Sequence, residues 1–224
     1  MLCLALMGSS MAISSNLFNV DKTVEEERVL LIKAAELGIA QQLDRLSETM
    51  LQKLIATKTE GQLRQFVQRE GFRLWDSGRK GTMNDFVIDD RPLYWQRLVV
   101  APMIRARAKQ LRLSSETIEQ LLTSFEQTSR GQNDIVWTVP GARRVLITGF
   151  DPFSLDRHIG QSNPSGAIAL SLDGRVFEGN GGTIEINAAI FPVRYVDFDV
   201  GILEQWLAPH LSSGLIDLFV SVSM

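Results

Sequence analysis

Apolar residues recur along this chain with two different periods, and the change falls near Pro140-Gly141. Upstream, Ile32, Ala35, Ile39, Leu43, Leu46, Met50 and Leu54 recur at steps of three and four, which lines one face of a helix. Thr23-Val-Glu-Glu26 matches a capping box, with Glu25, Glu26 and Glu27 where the helix dipole favours carboxylates. Such a stripe serves core packing or, in a second reading, a partner-binding or coiled-coil helix. A shorter helical piece surrounds Leu63 and Val67, and residues 71–90, with Gly71, Ser77-Gly78 and Gly81, are expected to be mostly loop. Pro92 suits a helix start, and Pro102 predicts two helices or one kinked helix over residues 93–111. Ser114-Ser115-Glu116 opens a further helix that buries Ile118, Leu121, Leu122 and Phe125, with Gly131 as its C-cap.

After Pro140 the pattern predicts strands over 144–150, 183–193 and 215–222, with helices over 164–172 and 197–211. The strands are apolar on successive residues, as central strands covered on both faces are. Strands alternating with helices imply parallel pairing and right-handed crossovers. The expected fold is therefore α/β: an incomplete open parallel sheet (β-α-β-α-β), preceded by an all-helical domain. The corresponding division is a leader-like segment at 1–20, a helical domain at 21–140 and a partial α/β domain at 141–224. A sheet that closes on Phe219-Val-Ser-Val-Ser-Met224 leaves exposed hydrogen-bonding groups, which points to a truncated product.

Composition narrows the function classes only slightly. With 45% hydrophobic and 22% charged residues the chain is an ordinary globular one, which argues against disordered and fibrous classes. Residues 1–140 hold 18 Lys+Arg against 17 Asp+Glu, and the remainder 5 against 9, so nucleic acid is not the expected partner. The basic run Arg97, Arg105, Arg107, Lys109 and Arg112 reads as a solvated helix face. No apolar run reaches the roughly 18 residues of a membrane span, so no membrane partner is expected. The single cysteine, Cys3, excludes an internal disulfide and a thiolate metal cluster. Met1-Leu-Cys-Leu-Ala-Leu-Met7 followed by Ser10-Met11-Ala12 resembles a secretory leader without its positive start, so export stays open beside a cytoplasmic location.

Nucleotide, zinc-protease and serine-hydrolase motifs are absent from the sequence, and no cofactor is expected. Gly179-Asn-Gly-Gly182 precedes a strand and reads as a turn, since phosphate cradles precede a helix. The stretch Arg144-Val-Leu-Ile-Thr-Gly-Phe-Asp-Pro-Phe153 with Asn163-Pro164-Ser165 reads as strand, shaped loop and helix. Its loop lies at the carboxyl end of a strand, where open parallel sheets bind ligands. Phe150 and Phe153 offer a flat apolar wall and Asn163 amide groups, or else both rings pack in the core and Asn163 caps the helix. Asp151, Asp156, His158 and Asp173 are too irregularly spaced for a metal set, and His158 with Ser154 or Ser162 is no triad by proximity alone.

The run T-G-F-D-P-F with the subsequent N-P-S resembles the start of the pyroglutamyl peptidase I (pyrrolidone carboxyl peptidase) family, cysteine exopeptidases that remove an N-terminal pyroglutamate. Phe191-Pro192-Val193 and the Val-Ser-Val-Ser end of the third strand fall in the expected order, so the resemblance covers about residues 143–224. It implies that the incomplete sheet belongs to a three-layer α/β/α hydrolase-like domain, that Phe150 and Phe153 line a pyroglutamate ring pocket, that Asn163 belongs to the hydrogen-bond network beside it, and that the partner is a pyroglutamyl peptide. It also implies that the catalytic Glu, Cys and His lie after residue 224, so that this chain is truncated and inactive. Two features depart from the pattern. Ser154-Leu-Asp-Arg-His-Ile-Gly-Gln-Ser162 replaces a short Gly-Gly, and the helical region has no counterpart in compact members. The competing reading is a non-catalytic binding or interaction protein that uses the helical domain, with homo-oligomerisation open in either case.

Overall fold

The computed structural model describes residues 40–84, 89–155 and 157–223. The leader-like segment with Cys3, the capping box at Thr23 and Asp156 lie outside them. Helices come first: α1 (Ala40–Ala56), α2 (Glu60–Asn84), α3 (Arg91–Gln110) and α4 (Ser115–Thr128). The sheet region comes next, with β1 (Arg143–Phe150), α5 (Pro164–Leu172), β2 (Val176–Gly179), β3 (Gly182–Phe191), α6 (Tyr195–Asp199), α7 (Ile202–Ser212) and β4 (Leu218–Ser221). The chain is mixed α/β, with a helical N-terminal part and a small four-stranded mixed sheet. Among the described residues no helix is long and apolar enough to cross a membrane.

Contacts divide the chain into two units, neither continuous in sequence. The first takes in the described part of Met1–Gly71 with Trp95–Glu126 and Ser154–Gly160. The second takes in the described parts of Phe72–Tyr94, Gln127–Phe153 and Gln161–Met224. In the first, Met50 and Leu54 of α1, Leu63, Phe66 and Val67 of α2, Val100, Ile104 and Ala108 of α3, and Leu121 and Phe125 of α4 are buried. These positions fall at helical spacing, and removing them from water is the main stabilising term. Lys53 Nζ meets the buried carboxylate of Glu70 at 2.9 Å, and Arg107 Nε donates to Thr57 O at 3.1 Å. The basic run is not a uniformly solvated face, because Arg97 and Arg105 are buried.

Two helical expectations change. Residues 71–84 continue α2 instead of forming a loop, because Leu74 and Trp75 keep the apolar period of Leu63, Phe66 and Val67 across Gly71. Gly78 is a packing residue there: a Cβ on it would already touch Leu93 and Leu170 at 3.4 Å. Pro102 lies inside one helix, Arg91–Gln110, so two separate helices are excluded.

In the second unit the strand order is β2-β3-β1-β4. β1 pairs in parallel with β3, from Arg143↔Ile184 to Phe150↔Phe191, and in parallel with β4, from Val145↔Leu218 to Thr148↔Ser221. The expected β-α-β-α-β order is thus present, but the sheet has a fourth strand. β2 pairs antiparallel with β3 across the Asn180-Gly181 turn. Asn-Gly is the usual hairpin signal, yet β2 escapes sequence reading because Val176 and Phe177 are both exposed and give no alternation. The helix expected over 197–211 is divided into α6 and α7 at Gly201, whose φ is +67°. Helix α5 packs on β1 and β3. Gly149 allows that approach, since a Cβ there would lie 2.2 Å from Ser165 O.

Beyond the end of β2, the outer edge of β3 finds other partners. Ile186 N donates to Arg175 O, Ala188 N to Asp173 Oδ1 at 2.7 Å, and Ile190 N to Arg130 O at 2.9 Å. Gln132 Nε2 then donates to Ile190 O at 2.8 Å. The edge is therefore satisfied by a carboxylate and by the segment ahead of β1, which removes a template for stray strand pairing.

Candidate functional site

The carboxyl end of β1 turns out of the sheet through Phe150, Asp151, Pro152 and Phe153. Phe150 N donates to Ser165 Oγ at 3.1 Å, and Asp151 N donates to Phe191 O at 2.8 Å, so the first step off the strand is held on both sides. Phe150 and Phe153 are each half-buried. The Phe150 ring lies 5.8 Å from that of Phe198, tilted by 45°. Neither ring is a core residue, in contrast to the fully buried Phe191, which meets Trp206 edge-on at 5.2 Å.

Asn163 is buried and caps α5, with φ −105° and ψ 111°. Its Oδ1 accepts from Ser165 N at 3.1 Å and Ser165 Oγ at 2.8 Å, while its Nδ2 donates to Asp151 O at 3.0 Å. The cap thus also ties the aromatic loop to the helix start. Pro164 at the first helical position and the Asn163 acceptor together explain why the chain turns helical there.

Asp90 and Arg130 join the group, and neither was singled out by sequence reasoning. Asn163 N donates to Asp90 Oδ2 at 3.3 Å. Asp90 is buried, its Oδ1 has no partner among the described residues, and burial pushes its carboxyl up to about 7, with the Asp151 charge adding to the effect. Arg130 Nε and Nη2 both approach Asp151 Oδ2 at 2.9 Å, with the two side chains only 6% and 5% exposed. Their only sequence signal was type: charged residues flanking helix ends, which ordinarily face water.

The remaining candidates stand apart from this group. Asp173 accepts from Trp75 Nε1 and Ala188 N, and burial pushes its carboxyl up to about 6. His158 is exposed, with its backbone N–H on Ser154 O. Ser154 itself has a φ of +56°, an unusual value for a residue other than glycine. His210 is half-buried against Trp206, ring centroids 4.6 Å apart, and burial lowers its pKa. Among the described residues no group of three or more His, Cys, Asp or Glu is arranged to hold a metal ion. Phe150, Phe153 and Asn163 thus lie on the end of β1, its loop and the helix start that follows, with Asn163 bonded to Ser165 and to Asp151 of that loop.

Two protein families match successive parts of this chain. Residues 11–126 match the family described as the PA0049 N-terminal domain, and residues 144–224 match the PA0049 C-terminal domain. The uncharacterized protein PA0049 of Pseudomonas aeruginosa (strain PAO1) is 37% identical over 150 residues, which covers 60% of this chain and 27% of that protein. No solved structure matches. With the N-terminal family spanning residues 11–126 and the C-terminal one coming after it in order, the chain belongs to the PA0049 family.

Proposed function

We propose that residues 143–224 are the substrate-side part of a pyroglutamyl-peptidase-like domain with a three-layer, hydrolase-like plan. The observation that carries this reading is where the T-G-F-D-P-F run lies: on the interior strand β1, with parallel neighbours on both sides and its loop leaving the carboxyl end. Ligands of open parallel sheets bind outside that end. Phe150 and Phe153 would sandwich or wall the lactam ring, whose faces are apolar and whose edge carries one N–H and one C=O. Asn163 acts mainly through the loop, because its oxygen is taken up by Ser165 and its amide by Asp151.

Peptide cleavage by pyroglutamyl-peptidase chemistry needs a thiolate next to a histidine base. Residues 143–224 contain no cysteine, so this stretch supplies binding and not the nucleophile. The chain spans 27% of the curated relative it matches, and the activity of a whole protein of this length is part of the proposal. The test is titration of the chain with pyroglutamyl amide, monitored by NMR. Shifts confined to residues 150–153 and 163–166, with no hydrolysis of a pyroglutamyl anilide, are expected. Absence of shifts at the loop overturns the reading in favour of an interaction protein that uses its helices.

A further inference from the structure

We infer that Arg130, which precedes the sheet by a full loop, is the positioning residue of the aromatic loop, acting through Asp151. The inference rests on the reading of that loop as a ligand site, but its structural basis is separate. Asp151 lies between the two phenylalanines, and each of its polar groups is held by a different element. Its N–H goes to Phe191 O of β3, its C=O to Asn163 Nδ2 at the start of α5, and its carboxylate to Arg130. Beyond that last ladder bond to β3 the residue has left the sheet, so the links from its C=O and its carboxylate determine where it points. Those links therefore set the course of the loop to Phe153, while Phe150 is held by β1 itself through its register with Phe191.

Arg130 is itself anchored. Its carbonyl accepts from Ile190 N at 2.9 Å, and Gln132, two residues on, grips Ile190 O and accepts from Trp206 Nε1 at 2.9 Å. The guanidinium thus projects from a backbone zipped to the edge of β3. Two of its nitrogens converge on one carboxylate oxygen at 2.9 Å in a buried setting, where a charge-assisted pair is both strong and directional. A lysine has one nitrogen and a flexible stem, and cannot supply that fork. Removing the guanidinium strips the buried Asp151 carboxylate of this cation, and the carboxylate then shifts toward water and takes the loop with it.

The test is amide hydrogen exchange at Phe150, Asp151 and Asn163 in Asp151→Asn, Arg130→Gln and the double variant. Asp151→Asn keeps the shape of the side chain and decides the matter alone if Arg130→Gln does not fold. Exchange at these amides is expected to rise by about tenfold or more while Ile186 and Ala188 of β3 stay unchanged. The double variant should be no worse than either single one, because the two residues act through each other. Unchanged loop exchange in Asp151→Asn, an equal rise throughout β1 and β3, or additive effects would each overturn the inference. Affinity for pyroglutamyl amide gives a separate result. If the wild-type chain does not bind it while exchange changes are confined to the loop, the lactam reading fails and the positioning role of Arg130 stands.

Discussion

Trp75 and Asp173, 98 residues apart in the chain, meet through a buried hydrogen bond of 3.0 Å from the indole Nε1 to Oδ2. The other oxygen of Asp173 takes Ala188 N at 2.7 Å, standing in for the strand that β3 lacks on that side. Gly131 completes the arrangement, since a Cβ on it would fall 2.5 Å from the indole. The helical segment carrying Trp75 and the loop carrying Gly131 are thus built into the sheet unit.

Trp75→Phe should therefore destabilise the second unit by about 2–4 kcal/mol, combining a lost donor to a buried carboxylate with the space left by the smaller ring. Urea unfolding monitored at β3 amides measures it. A change under about 0.5 kcal/mol, the range of ordinary surface substitutions, would show that the bond contributes nothing.

Asp90 gives a pH prediction. Its carboxyl is raised from 3.8 to about 7 in the folded protein, chiefly by burial. The folded state then binds a proton that the unfolded state has released, so stability present below about pH 4 is lost as pH rises through about 7. Asp90→Asn removes this titration and keeps an acceptor for Asn163 N–H. The stability of the variant relative to wild type should rise by about 4 kcal/mol between pH 4 and pH 8. A difference that does not change with pH would mean that Asp90 is solvated in the folded protein.

Gly149 is the glycine of the T-G-F run, and its need is steric. Gly149→Ala places a methyl 2.2 Å from Ser165 O, against backbone that cannot swing away, and should destabilise by about 3 kcal/mol. Gly181→Ala, where a Cβ meets nothing within 4 Å, is the control and should stay within about 0.5 kcal/mol. Equal melting temperatures for the two variants would contradict the close approach of α5 to β1.

The range of each signal along the chain explains which elements sequence reasoning found. β1, α4 and α5 were legible because period, cap and terminator lie within a few residues of each other; α5 occupies 164–172 as expected, with Asn163 as its cap. The second half of α2 was not legible, because Gly78 reads as a breaker when taken alone and as a packing contact once Leu93 and Leu170 are beside it. Phe150, Phe153 and Asn163 came from one local motif. Arg130 and Asp90 lie 21 and 73 residues from the partners they meet, and no local pattern marks a charged residue that tertiary structure will bury.

The aromatic pair separates a ligand site from core packing. Phe150 and Phe153 are half-buried, so truncation to Ala should cost about 1–2 kcal/mol in stability, well below the roughly 3–5 kcal/mol for a fully buried ring such as Phe191. If the two rings wall a lactam pocket, each truncation should also weaken binding of pyroglutamyl amide by about tenfold or more, equivalent to about 1.4 kcal/mol. Phe191→Ala should show the opposite balance, with large destabilisation. The comparison needs thermal unfolding and ligand titration on the same three variants, in this chain and in a longer family member. Ligand affinity unchanged in both Phe150→Ala and Phe153→Ala, with unfolding shifted as much as in Phe191→Ala, would remove the rings from the site and return them to the core.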